Sequence, residues 1–378
     1  MTNLLDYCEA HLADIVRTIE TLVRLESPST DKAAVDRCGA ALARLLADAG
    51  GSVEALAQAE RGDHLLARWP GRGRPVMLLG HFDTVWPVGT LERMPPRREG
   101  DRLYGPGTFD MKAGIAIALS AIGALRATGT AHPPLTAFFS TDEEIGSATS
   151  RASIEAEARQ CAAVFVLEPA LPGGALKTAR KGCGEYALTV HGIAAHAGLD
   201  PGKGVSAIHE LAALITAIEH LQDLPRGISV NVGTISGGTR PNVVAEEAHA
   251  RIDVRAPTVG AAAALDAAFR ALHPARPGTR LKLEGGFERP PMERTAAVAD
   301  LLARARKVAA AVGRDLDEGA AGGGSDGNFT AALGVPTLDG LGAVGDGAHA
   351  AHEHVDVPSL PWRAALLAGL LASFCPSA

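Results

Sequence analysis

The stretch VMLLGHFDT, residues 76–84, says most about how this chain folds. Four apolar residues come first, Gly80 ends the run, and His81 and Asp83 follow at once. A short apolar run closed by a glycine is typical of a strand that is buried on both faces, as the strands of parallel sheets are. We therefore expect His81 and Asp83 at the carboxyl end of a buried strand, which is where open α/β sheets place their sites.

Two further apolar runs repeat this arrangement. Residues 135–140 lead to the acidic pair Glu143 and Glu144, and residues 164–167 lead to Glu168. Because these acids again follow the ends of apolar runs, we expect them at the same edge of the sheet as His81. The repetition is a stronger indication of a site than any one of the motifs alone.

A long helix is expected between the first two of these strands. Residues 112–127 are rich in small apolar side chains and begin just after Asp110. Strands and helices therefore alternate, and this alternation predicts an α/β fold with helices flanking the sheet.

The pattern changes after about Lys181. The following segment reads, in order, as strand, helix, strand, strand, helix and strand, over 186–190, 205–221, 228–235, 248–254, 259–272 and 281–284. This order predicts an α+β domain. A helical pattern returns at 296–312. We therefore expect a discontinuous catalytic domain, residues 1–181 and 288–378, interrupted by an inserted domain, residues 182–287.

The composition is that of an ordinary globular enzyme. The chain has 378 residues, of which 47% are hydrophobic and 21% are charged. This length favours two domains over one. The formal net charge of −7 and the lack of a dominant basic patch argue against nucleic acid as a partner.

Cysteine usage and the N-terminus predict a cytoplasmic protein. The five cysteines are an odd number, lie far apart and form no CxxC pair, a pattern typical of reduced thiols. The N-terminal residues carry acids early and read as an amphipathic helix rather than a signal peptide. We expect no apolar stretch of the roughly 18 residues that a membrane-spanning helix needs.

Nitrogen and carboxylate ligands without a thiolate are the set expected for a hydrolytic zinc centre. The candidate ligands are His81, Asp110, Glu144, Glu168 and His349. Glu143 is left over beside them, and a spare carboxylate next to an open metal site is what activation of water requires.

Each motif also has an ordinary structural interpretation. A lone His-x-Asp at a strand end is usually incidental, and adjacent acids such as Glu143 and Glu144 are common at the start of a helix. Glu168 before Pro169 is a possible turn residue. The glycine-rich segment 322–327 lacks a following Gly-Lys-Ser/Thr, so a nucleotide site is not expected there.

Six ordered motifs resemble those of the family of two-zinc aminoacylases, dipeptidases and carboxypeptidases. They are GHFDTVWPVGT (80–90), GPGTFDMKAG (105–114), STDEEIGS (140–147), LEP (167–169), HAG (196–198) and GGGSDGNF (322–329). The likeness extends over nearly the whole chain and is greatest to bacterial glutamate carboxypeptidases that cleave folates. It implies a catalytic domain with a mixed sheet, two zinc ions per subunit, and an inserted domain through which two subunits form a homodimer.

The resemblance also implies roles for the candidate ligands. Asp110 would bridge the two zinc ions with both carboxylate oxygens, and the peptide bond after it would be cis. His81 and Glu168 would complete the coordination of one ion, and Glu144 and His349 that of the other.

Two acids beside the ligands would support them. Glu143 would be the general base, taking a proton from a water between the two metals and passing it to the departing nitrogen. Asp83 would accept a hydrogen bond from the His81 ring and raise its basicity.

The resemblance also implies that four further residues contact the substrate. His196 would reach across the dimer interface to stabilise the oxyanion in the neighbouring subunit. Asn242 and Arg255 would hold the α-carboxylate of the substrate, although Arg255 also reads as an ordinary surface charge. Ser325 would form a pocket wall facing the terminal residue of the substrate.

Two alternatives stay open in the sequence. His349, His352 and His354 are all able to bind a metal, and the family pattern favours His349, with His352 standing where an asparagine is usual. The substrate is expected to be a peptide or an N-acyl amino acid, and the resemblance implies an acyl-glutamate. Deacetylation of N-acetyl amino acids, dipeptide hydrolysis and a non-catalytic metal-binding role are the competing interpretations, and the presence of Glu143 argues against the last.

Overall fold

A computed structural model describes residues 1–376. The α-helices are α1 (Thr2–Ala10), α2 (Leu12–Val23), α3 (Lys32–Asp48), α4 (Ala113–Thr128), α5 (Arg151–Ala158), α6 (Ala207–Glu219), α7 (Val259–Arg270), α8 (Ala296–Ala310), α9 (Gly327–Ala332) and α10 (Leu360–Ala372). The strands of the first half are β1 (Ser52–Leu56), β2 (His64–Trp69), β3 (Val76–His81), β4 (Arg97–Glu99), β5 (Arg102–Tyr104), β6 (Leu135–Ser140), β7 (Ala163–Val166) and β8 (Leu176–Arg180). Those of the second half are β9 (Gly182–His191), β10 (Ser229–Gly237), β11 (Glu247–Ala256), β12 (Arg280–Arg289), β13 (Glu318–Ala321), β14 (Thr337–Leu338), β15 (Gly345–Asp346) and β16 (His354–Asp356).

These elements form two compact units. The first contains Met1–Thr178, Arg294–Ala321 and the chain from Ser325 onward. The second contains Ala179–Glu293 and Gly322–Gly324.

The main sheet of the first unit is mixed. Its strand order is β1-β2-β6-β3-β7-β14. Strands β6, β3, β7 and β14 run parallel, whereas β1 and β2 are antiparallel to their neighbours. Every residue of β3, β6 and β7 is buried, as the apolar runs predict. The predicted α/β fold with a mixed sheet and flanking helices is confirmed, and the parallel central strands end at one edge of the sheet.

Helix α4 lies in the core next to this sheet. Within the described residues, Thr108–Thr128 is the one helical segment that is long and apolar enough to cross a membrane by length and composition alone. Asp110 and Lys112 interrupt its apolar run near the start. Since 78% of its most apolar window is buried inside the protein, it is a core helix.

The N-terminal helix differs from the prediction. One helix is expected from the apolar periodicity at residues 4–25, but α1 and α2 are separated at His11. The His11 ring nitrogen lies 2.8 Å from the Tyr7 carbonyl oxygen, one helical turn earlier. The His11 backbone amide donates to the same carbonyl oxygen at 3.1 Å, so α1 ends at a carbonyl that both groups of His11 contact.

Arg363 is a fully buried cation on α10 that joins two loops near the ends of the parallel strands. Its guanidinium donates to the carbonyl oxygens of Gly342 at 2.8 Å, of Gly174 at 3.0 Å, and of Gly340. Burial lowers the pKa of Arg363 to about 9. Because the Gly342 amide donates to the Glu168 carbonyl at 2.9 Å, this cation also stabilises the backbone after β7.

The second unit is an antiparallel sheet with helices α6 and α7. The strand order is β10-β11-β9-β12, and side chains on β9 alternate strictly between buried and partly exposed. Tyr186 and Phe269 stack in its core with ring centroids 4.2 Å apart. The strands and helices of this unit follow the order that the sequence predicts. The expected insertion, residues 182–287, lies within the unit.

Candidate metal centre

The ends of the three parallel strands carry most of the site. His81 is the last residue of β3, Glu168 comes two residues after β7, and the turn with Glu143 and Glu144 follows β6. Because the three strands are parallel neighbours, their carboxyl ends bring these side chains to one edge of the sheet.

Asp110 reaches this edge from the loop before α4. The peptide bond between Asp110 and Met111 is cis. The loop is organised by a buried carboxylate, Glu353, which accepts from the amides of Gly107 and Phe109 at 2.9 Å and of Asp110 at 3.0 Å. The Trp86 indole donates to the same carboxylate at 2.9 Å. Burial raises the pKa of Glu353 to about 7 despite these donors.

Sequence reasoning did not assign a role to Glu353. The family pattern has a glutamate directly after the position of the usual asparagine, and Glu353 stands there after His352, but the pattern implies no contact for it. Its partners are mostly backbone amides more than 240 positions away in the chain, and a sequence pattern does not reveal such contacts.

Each oxygen of the Asp110 carboxylate faces a different pair of candidate ligands. Its Oδ1 lies 3.3 Å from His81 Nε2, which in turn lies 3.5 Å from Glu168 Oε1. Its Oδ2 lies 3.4 Å from His349 Nε2, which lies 3.1 Å from Glu144 Oε2. The candidate ligands thus form two adjacent groups, and the Asp110 carboxylate belongs to both.

The chemistry of these atoms fits a pair of cations. His81 Nε2, Asp110 Oδ1 and Glu144 Oε1 are buried without a hydrogen-bond partner in the described structure. Buried polar atoms without a partner are costly unless an ion or water satisfies them. Nitrogen and carboxylate oxygen are ligands that suit zinc and related divalent metals.

The charges of the site also favour cations. Asp110 and Glu144 raise the pKa of His349 to about 10. Burial alone would lower the pKa of His81, but the carboxylates of Asp110, Asp83 and Glu168 raise it well above its usual value. The carboxylates thus favour a positive charge beside His81 and beside His349.

Glu143 lies on the His81 side of the site. One of its carboxylate oxygens is within 4.8 Å of ligand atoms of both His81 and Glu168. Glu144, the neighbouring residue, lies 3.1 Å from His349 Nε2, and a ligand atom of Glu144 is also within 4.8 Å of ligand atoms of His81 and Asp110. The turn after β6 therefore brings Glu144 next to His349 and Asp110, and Glu143 next to His81 and Glu168.

Asp83 lies behind His81. The His81 Nδ1 is 3.1 Å from the Asp83 carbonyl oxygen and 3.3 Å from its carboxylate. Ser29 donates to this carboxylate at 2.6 Å, and the Glu144 amide is 3.3 Å from it. With Nδ1 directed at Asp83, Nε2 is turned toward Asp110 and Glu168, as expected for an orienting acceptor.

The three C-terminal histidines have different surroundings. His349 lies opposite Asp110 on a loop, with a left-handed φ of 61° that histidine tolerates better than most residues. His352 is exposed and lies 3.9 Å from Asp346. His354 is buried, and its ring packs against Tyr104 at 5.1 Å. Of the three, the structure brings His349 to the other candidate ligands.

His196 and Asn242 are neighbours in the second unit. Both are exposed, and the Ala197 amide donates to the Asn242 carbonyl oxygen at 3.0 Å. The His196 Nδ1 accepts from the amides of Gly198 and Leu199 at 3.1 Å. Since Nδ1 is an acceptor, a neutral His196 carries its proton on Nε2 and can donate from there.

Two predicted substrate contacts are engaged within the protein. The Arg255 guanidinium donates to the Asp253 carboxylate at 2.9 and 2.7 Å and also contacts the Cys183 sulfur. Ser325 is fully buried, and its hydroxyl donates to Asp339 at 2.8 Å. The structure therefore does not present either side chain as a free substrate ligand.

Comparison with known proteins identifies the family. The sequence profile of the peptidase family M20/M25/M40 matches residues 77–373. The chain belongs to this family. Membership makes it a metal-dependent hydrolase that acts on amide bonds of peptide substrates, as the sequence motifs predict.

A curated relative and two solved structures illustrate the family. The chain is 30% identical to carboxypeptidase G2 of Pseudomonas sp. (strain RS-16) over 369 residues, covering 94% of this chain and 88% of the relative. The aminopeptidase PepT of Bacillus cereus ATCC 10987 superposes with a TM-score of 0.79 at 22% identity, covering 96% of this chain and 98% of that one. The Bacillus subtilis YXEP protein, described as a dinuclear metal binding peptidase, has a TM-score of 0.71 at 15% identity and covers 97% and 99%. The two structures share the fold.

Proposed function

We propose that this protein is a two-zinc glutamate carboxypeptidase that cleaves the amide bond to a C-terminal glutamate in folate-type or N-acyl-glutamate substrates. The observation that carries the proposal is the Asp110 carboxylate, whose two oxygens face two separate groups of ligand candidates. The likeness to carboxypeptidase G2 supports the carboxypeptidase part, and the description of the YXEP protein supports a pair of metals.

Five side chains would hold the metals. His81 and Glu168 would bind one ion, Glu144 and His349 the other, and Asp110 both. When bound, zinc would polarise the scissile carbonyl and lower the pKa of a water molecule. Asp83 would keep the His81 ring oriented with Nε2 toward its ion.

Glu143 would move the proton during the reaction. Its carboxylate takes a proton from water as the water oxygen attacks the carbonyl carbon. It then delivers that proton to the amide nitrogen as the C–N bond breaks, so that a carboxylic acid and an amine leave. Its half-buried position near His81 and Glu168 suits a group that must both accept and return a proton.

The substrate is tested by a matched set of acyl amino acids. With the zinc-loaded protein, we expect kcat/KM for an acyl-glutamate to exceed that for the same acyl-alanine by at least about 10²-fold, because a site built for a carboxylate rejects substrates that leave its polar groups unpaired. Folates and N-acetyl amino acids with acidic, neutral and basic side chains complete the set. Hydrolysis of free dipeptides or of N-acetyl basic amino acids alone would contradict the glutamate assignment.

We also propose that the second unit forms a homodimer and that His196 acts in the partner's site. Strand β10 is an edge strand of its sheet, with Ile235 67% exposed, and Leu199 near His196 is 78% exposed. The unpaired backbone groups of an exposed edge strand are a ready template for pairing with a second copy. The His196 Nε2–H is the donor available for an oxyanion.

Hybrid dimers test the action of His196 in trans. Subunits with His196→Ala and subunits with Glu143→Gln are each expected to be nearly inactive. After equal mixing and verified subunit exchange, activity should recover to about a quarter of the unmodified level, because half of the dimers are hybrids and each has one complete site. The control mixes Glu143→Gln with the double variant and should show no recovery. No recovery in the first mixture would rule out action in trans.

A further inference from the structure

One buried carboxylate holds both ends of the turn that carries Glu143 and Glu144. The turn follows β6 at Ser140 and ends at Ser147. The Ser140 hydroxyl donates to Asp326 Oδ2 at 2.8 Å, and the Ser147 hydroxyl donates to Asp326 Oδ1. Asp326 is only 2% exposed and belongs to the glycine-rich segment, which the proposed function does not use.

The far end of the turn needs such support. Ser147 has a left-handed backbone with φ of 59°, a conformation that serine rarely adopts. Its amide donates to the Asp142 carbonyl oxygen at 2.8 Å, and the Asp142 carboxylate accepts from the Thr149 amide at 2.7 Å. These bonds close a tight backbone turn that contains Glu143 and Glu144. The hydrogen bond from Ser147 to Asp326 connects this turn to the start of α9.

A carboxylate suits this place better than an amide. An ionised carboxylate only accepts, so both oxygens can take a hydroxyl proton at once. Hydrogen bonds to an ionised acceptor are shorter and stronger than those to a neutral one. An asparagine offers an acceptor oxygen on one side and a donor NH2 group on the other, so one of the two serine hydroxyls would have to accept from the side chain at position 326 instead of donating to it.

We propose that Asp326 is a positioning residue for the metal centre. By holding Ser140 and Ser147, it fixes the turn so that Glu144 faces His349 while Glu143 faces His81. This inference rests on the metal pair in the proposed function. It predicts that loss of the Asp326 charge weakens metal binding and turnover although Asp326 touches neither metal nor substrate.

Two variants of the full chain test this role. We expect Asp326→Asn to weaken binding of zinc or cobalt by about 10–100-fold, the usual effect of removing a partner that orients ligands. The kcat should fall, while KM for the preferred substrate stays unchanged. Ser147→Gly removes the small hydroxymethyl side chain and with it the bond to Asp326, and glycine accepts the left-handed backbone, so it should act in the same direction without added strain. Metal dissociation constants come from equilibrium dialysis, and the visible spectrum of the cobalt-loaded protein reports ligand geometry.

Thr330→Val is the matched control on α9. The Thr330 side chain is buried, and its hydroxyl bonds the Gly327 carbonyl oxygen at 3.0 Å and Thr337 at 2.8 Å. This variant also loses buried hydrogen bonds, so it should lower the melting temperature but leave metal affinity, the cobalt spectrum and kcat unchanged.

The outcomes separate this inference from the proposed function. If the unmodified chain binds no pair of metals, the proposed function fails. If it binds two, but Asp326→Asn and Ser147→Gly keep its metal affinity, cobalt spectrum and kcat, Asp326 is only structural and the inference fails. If Asp326→Asn does not fold, the result for Ser147→Gly decides.

Discussion

Replacing Glu143 with glutamine is expected to lower kcat by about 10²–10⁴-fold, the contribution typical of a positioned general base. Glutamine has nearly the same shape but cannot take a proton from water. Because we assign no metal to Glu143, the variant should still bind two zinc ions per subunit. The measurement is kcat together with metal content by atomic emission.

Glu144→Gln is the matched comparison, since it makes the same chemical change at the adjacent residue. Glu144 Oε2 lies 3.1 Å from His349, among the candidate ligands, so this variant should lose metal as well as activity. Loss of metal from Glu143→Gln, with retention in Glu144→Gln, would mean that the roles of base and ligand are reversed.

Asp110→Asn is expected to weaken binding of both metals by more than about 100-fold, because loss of a supporting partner alone typically costs 10–100-fold. The amide has one oxygen acceptor and no charge, so it cannot present an anionic oxygen to each ion. Activity should disappear with the metal. Titration with zinc, followed by competition with a chelator, measures the stoichiometry and both affinities.

Asp101→Asn is the control for this change. Asp101 is an exposed acid between β4 and β5, and its substitution should leave both metal affinities intact. Two zinc ions bound by Asp110→Asn with unchanged affinity would show that Asp110 does not bridge them.

Local patterns were sufficient to predict the framework of the site. The apolar runs before His81, Glu143 and Glu168 are short, and runs of this length are typical of strands buried on both faces. Their burial on both faces is observed for β3, β6 and β7. Because the carboxyl ends of neighbouring parallel strands lie at the same edge of a sheet, the sequence alone predicts that these residues lie close together.

Contacts between distant residues were not predictable in the same way. Glu353 joins amides of the Asp110 loop, and Asp326 joins two serines of the turn after β6, yet no spacing links either acid to its partners. Arg255 was expected to bind the α-carboxylate of the substrate. Its guanidinium donates to Asp253, two positions away on the same face of β11. Ser325 was expected in a pocket wall, and its hydroxyl instead bonds Asp339 in the interior.

The sequence by itself therefore determined the fold class, the family and the residues at the strand ends, because burial period and motif order are properties of neighbouring residues. The tertiary structure decided which of three histidines faces Asp110 and which way each glutamate of the turn points. It also decided which buried carboxylates support the loops. These depend on hydrogen bonds between segments far apart in the chain, whose partners are chosen only when the strands and loops pack together.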